Sequence, residues 1–291
     1  MRVAAILSPA VHLRELRGFR APGVDMLIAP ALRPSDQVDA ALVFGGDGSV
    51  HRQLAAAVQS QAPLLCVPTG SGNDFAHALG LHTRKDALAA WGKFRRGANN
   101  IRQIDVARIA PHADNQQPAS DDFYYCCIAG VGLDSEVNRR ANAMPAWLRG
   151  HGGYTLAVPS AVWSFRPQTI TLEIFDQAGK PERLSGPAML AAFANAPSYG
   201  HGMRMAPRAQ LDDGLLDVCF VRRAGKLRLL RLFPKVFSGA HLDLPEVEYR
   251  RVPRLRVEAE SPLEIYGDGE FICRTPVEIT VRPRALRVII P

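Results

Sequence analysis

Along the first hundred residues, short blocks of consecutive apolar residues alternate with stretches whose apolar positions recur every three or four residues. The blocks fall at 3–7 (VAAIL), 26–29, 40–44 and 64–67, bounded by Pro, Gly, Ser or Asp. Continuous apolar runs of this length predict strands buried on both faces. Between and after them, residues 50–58 (VHRQLAAAV), 74–81 and 85–94 carry helical spacing. Such alternation predicts a parallel sheet covered by helices on both faces, a doubly wound α/β domain.

Beyond residue 107 the pattern changes. Residues 110–122 (APHADNQQPASDD) are polar and aperiodic, which predicts a surface loop. Two helical stretches follow at 135–143 and 154–165. Strand-like runs then occur at 169–175, 188–194, 215–221, 255–259, 263–266, 277–281 and 286–290. Many short strands separated by Pro, Gly and Asp predict an antiparallel, β-rich sandwich. The chain therefore divides into 1–107 and 108–291, and its 291 residues, 47% hydrophobic, suffice for two cores.

No apolar run approaches the ~18–20 residues needed to span a bilayer. The apolar block at 3–7 is also shorter than a signal-peptide core of ~7–15 residues, so a cytosolic chain is expected. The five cysteines form no CxxC pair and sit in apolar runs, which predicts buried free thiols. A net charge of +7 favours acidic partners such as a nucleotide or an anionic membrane. No nucleic-acid-binding motif is present, so nucleic acid is not expected. Residues 222–237 read as one helix with Leu227, Leu230, Phe233 and Phe237 on one face and Arg228, Arg231 and Lys235 on another. That helix either packs on the sandwich or docks on anionic lipid.

Two glycine-rich segments carry the candidate chemistry. Phe44-Gly45-Gly46-Asp47-Gly48-Ser49 lies between a predicted strand and a helix, where backbone N–H groups and the helix dipole favour an anion. Ser49 suits the N-cap position. Pro68-Thr69-Gly70-Ser71-Gly72-Asn73-Asp74 repeats this construction one strand later, which places both loops at the carboxyl edge of the sheet, where open α/β sheets bind ligands. Ser71 and Asn73 can donate to phosphate oxygens, and Asp47 and Asp74 can hold a metal. Neither loop contains a lysine to grip phosphate. Tyr266-Gly267-Asp268-Gly269-Glu270 reads locally as a hairpin turn, and the LDDGLLD run at 211–217 as either a turn or a metal site.

GGDGS followed by PTGSGNDFA resembles the diacylglycerol kinase catalytic domain family, which includes bacterial lipid kinases and sphingosine and ceramide kinases. Further matching segments are Gly130-Val131-Gly132-Leu133-Asp134, Tyr199-Gly200-His201-Gly202-Met203, the LDDGLLD run and Asp268-Gly269-Glu270, so the resemblance spans nearly the whole chain. It implies an ATP-binding α/β domain, a β-sandwich domain and an active site between them. It also implies ATP contacts from Gly45, Gly46, Asp47, Gly48, Ser49, Ser71, Gly72, Asn73 and Asp74. The catalytic residues so implied are Asp47, Asp105 and Glu270, with Glu270 as general base. A structural Mg²⁺ is implied at Asp213 and the carbonyls of Gln210 and Leu215.

The chain departs from the family pattern at His51 and Arg52, where Asn-Glu is usual, and at His201, which interrupts a run of glycines. The expected function is ATP- and Mg²⁺-dependent phosphorylation of a lipid hydroxyl by an enzyme that meets its acceptor at the membrane surface, with a homodimer left open. The alternatives are a kinase of a soluble acceptor, as in NAD kinases, and a catalytically silent nucleotide-binding protein.

Overall fold

The computed structural model describes residues 1–111, 122–145, 148 and 152–291. The polar loop expected at 110–122 lies mainly in 112–121, outside the described residues.

Four strands build the first lobe: β1 (Arg2–Leu7), β2 (Asp25–Ala29), β3 (Ala40–Gly45) and β4 (Leu64–Pro68). They run parallel in the order β2-β1-β3-β4. The predicted helix at 50–58 is instead two helices, α1 (Asp47–His51) and α2 (Leu54–Ser60). The break between them brings Gln53 inward, where its side-chain oxygen accepts the Leu32 N–H at 2.8 Å. After β4 come α3 (Asp74–Ala78) and α4 (Arg84–Arg95). α3 stops short of residue 81 because Gly80 turns left-handed, and the N–H groups of Gly80 and Leu81 close back on His77 and Ala76.

The second lobe contains β5 (Ile101–Pro111), β6 (Phe123–Tyr125), β7 (Ile128–Gly132), α5 (Leu133–Ala143), α6 (Gly153–Ser164), β8 (Gln168–Phe175), β9 (Pro181–Ala194) and β10 (Leu216–Arg222). It continues through α7 (Lys226–Leu232), α8 (Lys235–Ser238), β11 (Val247–Val252), β12 (Arg254–Ala259), β13 (Glu264–Gly267), β14 (Glu270–Arg274) and β15 (Val277–Ile289). Its pairings are antiparallel, and Phe193, Phe220, Leu255 and Ile279 are fully buried in one core cluster, as a sandwich requires. The single helix expected at 222–237 is split into α7 and α8 at Phe233–Pro234, because proline cannot continue the backbone ladder.

The expected division at residue 107 falls inside β5. The two runs expected at 277–281 and 286–290 are one strand, β15, whose register with β5 shifts between Arg282 and Leu286. Its first half pairs with β12, and near its end Val288 pairs in parallel with Leu64 of β4. The last strand of the chain therefore belongs to both lobes. It fixes the carboxyl edge of the parallel sheet relative to the sandwich.

Candidate active site

Because β3 and β4 are adjacent, the loops that leave them touch. A Cβ on Gly70 would lie 2.6 Å from the Gly46 Cα, so Gly70 tolerates no side chain, and a Cβ on Gly46 would crowd the Gly70 Cα at 3.2 Å. Asp47, first residue of α1, reaches across to accept the N–H groups of Asp74 (3.2 Å) and Phe75 (3.0 Å). It thereby caps α3 and locks one loop to the other. Asp74 continues the chain of contacts into the second lobe, accepting the N–H groups of His201 and Gly202, both at 2.9 Å.

The two carboxylates also face each other. Their Oδ2 atoms lie 3.2 and 3.4 Å from the position a Cβ would take on Gly72. Burial, with the charges of Asp74 and Asp268, pushes the Asp47 carboxyl up to about 6, against the opposing effect of its two N–H bonds. Two hard oxygen ligands that repel one another suit a Mg²⁺ ion accompanying a polyphosphate.

The opposite wall is the β13–β14 hairpin. Asp268 and Gly269 have φ of +51° and +87°, the pair of left-handed residues that a tight type I′ turn demands. The buried Asp268 carboxylate accepts N–H groups from Cys126 (2.9 Å), Cys127 (2.8 Å) and Ile128 (3.3 Å). Asn142 of α5 holds the Gly269 carbonyl at 2.8 Å. A turn held this firmly presents Glu270 to the first glycine loop: a Cβ on Gly48 would lie 2.8 Å from the Glu270 Oε1.

Sequence reasoning missed the partners of this hairpin. His51 Nδ1 lies 3.3 Å from Asp268, and Arg52 Nη1 lies 3.6 Å from Glu270. The two departures from the family pattern in α1 thus both meet acidic groups of the second lobe. Burial lowers the affinity of His51 for its proton, but the bond to Asp268 and the charges of Asp268 and Glu270 outweigh it and raise its pKa. Only the opposite charges of HR and DGE hinted at this pairing in the sequence.

The cleft between these walls has a volume of about 410 Å³ and is lined by Gly46, Asp47, Gly48, Ser71, Gly72, Asp74 and Glu270, among others. Tyr154 and Tyr199 form its back and also bound a second cavity of about 100 Å³. That cavity is walled by Val137, Val158, Leu190, Met203, Leu229 and Phe233, among others. Both tyrosine hydroxyls bond the buried Asp134, Tyr154 at 2.5 Å, and burial raises the Asp134 carboxyl. A polar cleft and an apolar cavity therefore meet at two phenol rings.

Several expected site residues stand elsewhere. Gly45 and Ser49 are buried behind the loop, and the N-cap of α1 is Gly46 rather than Ser49. Asn73 spends its amide on its own loop, bonding the Gly70 carbonyl (2.7 Å) and N–H (3.0 Å) at a left-handed φ of +57°. Asp105 does not line the cleft. It is fully buried, and its carboxylate accepts the N–H groups of Gly214 and Arg284, both at 2.7 Å, which ties β5 to the 211–214 turn and to the bulge of β15.

The Mg²⁺ expected at Gln210, Asp213 and Leu215 does not fit the residues present. The Asp213 carboxylate is ion-paired with Arg251 and also accepts the Leu215 N–H at 3.0 Å, so the turn already has an internal cation. Among the described residues, the one group of three closely spaced metal-ligand types is Cys126, Cys127 and Asp268. Its carboxylate is committed to backbone N–H groups. Burial raises the Cys126 thiol; a hydrogen bond from Cys126 lowers the Cys127 thiol, but burial and the nearby charges of Asp268, Asp47 and Asp74 outweigh it, so neither offers a thiolate to a metal.

Comparison with known proteins agrees with this two-lobed arrangement. Residues 12–109 match the diacylglycerol kinase catalytic domain, and residues 127–290 match the YegS C-terminal NAD kinase beta sandwich-like domain. A diacylglycerol kinase of Mycobacterium tuberculosis is 34% identical over 295 residues, covering 99% of this chain and 88% of that protein. A protein of Chromohalobacter salexigens named as a YegS-like lipid kinase is 29% identical over 85% of this chain and 74% of its own. A solved diacylglycerol kinase of Bacillus anthracis superposes with a TM-score of 0.68 at 17% identity, over 100% of this chain and 97% of that one. An ATP complex of the Archaeoglobus fulgidus NAD kinase superposes with a TM-score of 0.56 at 14% identity, over 100% and 93%. At these identities the last two show a shared fold.

Proposed function

The chain belongs to the family of diacylglycerol kinases and YegS-like lipid kinases, and from that premise we propose that it transfers the γ-phosphoryl group of ATP to the hydroxyl of a lipid such as diacylglycerol or a sphingoid base. The observation that supports this reading is that the cleft and an apolar cavity share Tyr154 and Tyr199 as a common wall. A soluble acceptor has no use for that second cavity, whereas an acyl chain would fill it and leave its hydroxyl at the tyrosines.

Phosphoryl transfer is largely positioning and electrostatic stabilisation. The backbone N–H groups of the two glycine loops supply donors at the carboxyl edge of the sheet. Asp47 and Asp74 would hold the Mg²⁺ that accompanies ATP and neutralises phosphate charge. Glu270 faces the first loop from the hairpin and would take the proton of the acceptor hydroxyl as its oxygen bonds the γ-phosphorus and the bond to the β-phosphate breaks. ADP and the phosphorylated lipid are the products.

The acceptor would be met at a bilayer surface. No helix among the described residues is long and apolar enough to cross a membrane. The helices around the apolar cavity expose Leu156, Trp163, Leu227 and Phe237, beside the exposed basic Lys226, Arg228, Arg231 and Lys235. Apolar side chains ringed by basic ones suit an anionic lipid interface. The test of the chemistry is Glu270→Gln with labelled ATP and dispersed lipid. Labelled lipid should form with the unaltered protein and fall by at least a hundredfold in the variant, with ATP affinity retained. Substantial transfer by the variant would remove Glu270 from the base role.

A further inference from the structure

The loop that grips Asp74 contains three consecutive residues with left-handed backbone: Gly200 (φ +58°), His201 (φ +70°) and Gly202 (φ +86°). Glycine adopts this region freely, but a residue with a Cβ is strained there. The N–H groups of His201 and Gly202 point at the Asp74 carboxylate, and that service needs no side chain at all. Histidine at the centre of this turn is a cost to the fold without a structural return. Its imidazole is exposed, and among the described residues it makes no hydrogen bond. Strain held at a cleft is a pointer to function.

The charge of the cleft says what that function is. Four of its described lining residues carry carboxylates (Asp47, Asp74, Asp268 and Glu270), and His201 is the one basic side chain among them. Arg52 is not part of the lining: its Nη1, 3.7 Å from the Cβ position on Gly48, is paired with Glu270. The His201 Cε1 lies 3.9 Å from the Cβ position on Gly72, beside the Asp47 and Asp74 carboxylates where the end of a polyphosphate would lie. The glycine loops themselves offer backbone donors and Ser71, with no lysine or arginine.

We infer that His201 is a nucleotide-contacting residue, whose imidazole donates a hydrogen bond to the terminal phosphate of ATP and so distinguishes ATP from ADP. The inference rests on the ATP-dependent reading above. It assigns to this chain a side-chain donor where a glycine would supply none.

Two variants test it by equilibrium binding of ATP and ADP with Mg²⁺ present, together with thermal melting. His201→Gly should relieve backbone strain and raise the melting temperature by roughly 2–4 °C. The same variant should bind ATP about tenfold more weakly, the scale of one hydrogen bond to a charged group, with ADP changed less than twofold. His201→Gln keeps a side-chain donor and the strained backbone, so it should recover most of the ATP affinity without the gain in melting temperature. ATP affinity unchanged in the glycine variant overturns the inference and leaves the kinase reading standing. A glycine variant that melts lower than the parent also overturns it, because the imidazole would then be a structural contact. Failure of the unaltered protein to bind ATP overturns the kinase reading and the inference together.

Discussion

At the scale of single residues, Asp47 does the most. Its carboxylate caps α3, joins the two glycine loops and faces Asp74, and burial holds its proton up to a pH of about 6. An acid whose folded value lies above its ordinary 3.8 stabilises the fold fully below pH 3.8 and loses that contribution as pH rises through 6. Unfolding free energies from urea titrations between pH 4 and 7 should therefore fall for the parent relative to Asp47→Asn, by up to about 3 kcal/mol across the range. Parallel curves for the two proteins would contradict the buried placement. His51 has the same sign from the opposite cause. Burial lowers its value but the bond to Asp268 and its charge raise it further, so its latch between the lobes is fully present below the ordinary 6.5 and is lost as pH rises beyond it. The glycines of both loops were legible in the sequence, because an apolar run ending in Gly, Ser and Asp signals an exposed loop edge; Glu270 followed only from the family resemblance, since its own segment reads as a hairpin turn. His51 and Arg52 were not, because their partners lie 217 and 218 positions away in the other lobe. Asn73 and Asp105 show a related limit: residue type told that each would make polar contacts, but not that those contacts would be internal.

At the scale of elements, β1, β3 and β4 were legible as apolar runs because they are largely buried, whereas β2, expected to be buried as well, is an edge strand that pairs only with β1 and leaves Leu27 and Ile28 exposed. β9 was half legible: its first residues, from Pro181 to Ser185, are mostly exposed and read as loop. β5 buries Ile104 to Ala107 in succession, but the charged Arg102, Asp105 and Arg108 interrupt any apolar run, so the strand leaves no signature in the sequence. The region from 222 to 237 is the most instructive. The face expected to pack was Leu227, Leu230, Phe233 and Phe237, but the cavity is walled by Leu229, Leu232, Phe233 and Val236, while Leu227 and Phe237 are exposed. Pro234 breaks the helix and resets its phase, so apolar and basic side chains share the outward surface. Each basic residue near an anionic surface is worth about 1 kcal/mol, screened within ~8 Å at physiological salt. Arg228 is already paired with Glu246, so it should contribute less. Replacing Arg228, Arg231 and Lys235 by Gln should weaken binding to vesicles containing phosphatidylserine by tenfold or more at low salt. Activity on detergent-dispersed lipid should be preserved. Equal vesicle affinity of parent and variant would remove this surface from membrane docking.

At the scale of the molecule, the two lobes are joined by strands rather than by a flexible linker. β5 leaves the first lobe as one arm of the sandwich, and β15 returns from the sandwich to pair with β4. Alternating patterns revealed two architectures but could not show that their boundary is crossed twice, since register between distant strands leaves no local signature. The consequence is functional. Glu270, His51, Arg52 and the Asp74 contacts meet across the lobes, and the shared strands hold them in register while the apolar cavity opens beside them.

Whether this cleft serves a lipid shows in how transfer depends on the acceptor's chain length. The measurement is the initial rate of label transfer from γ-labelled ATP to diacylglycerols of one headgroup and increasing acyl length, with NAD and a sugar phosphate as soluble competitors. A cavity that takes the acyl chain predicts kcat/KM rising with length, by no more than about fourfold per buried methylene, until the cavity is full. A rate independent of chain length, or label appearing only in the soluble acceptors, would contradict it.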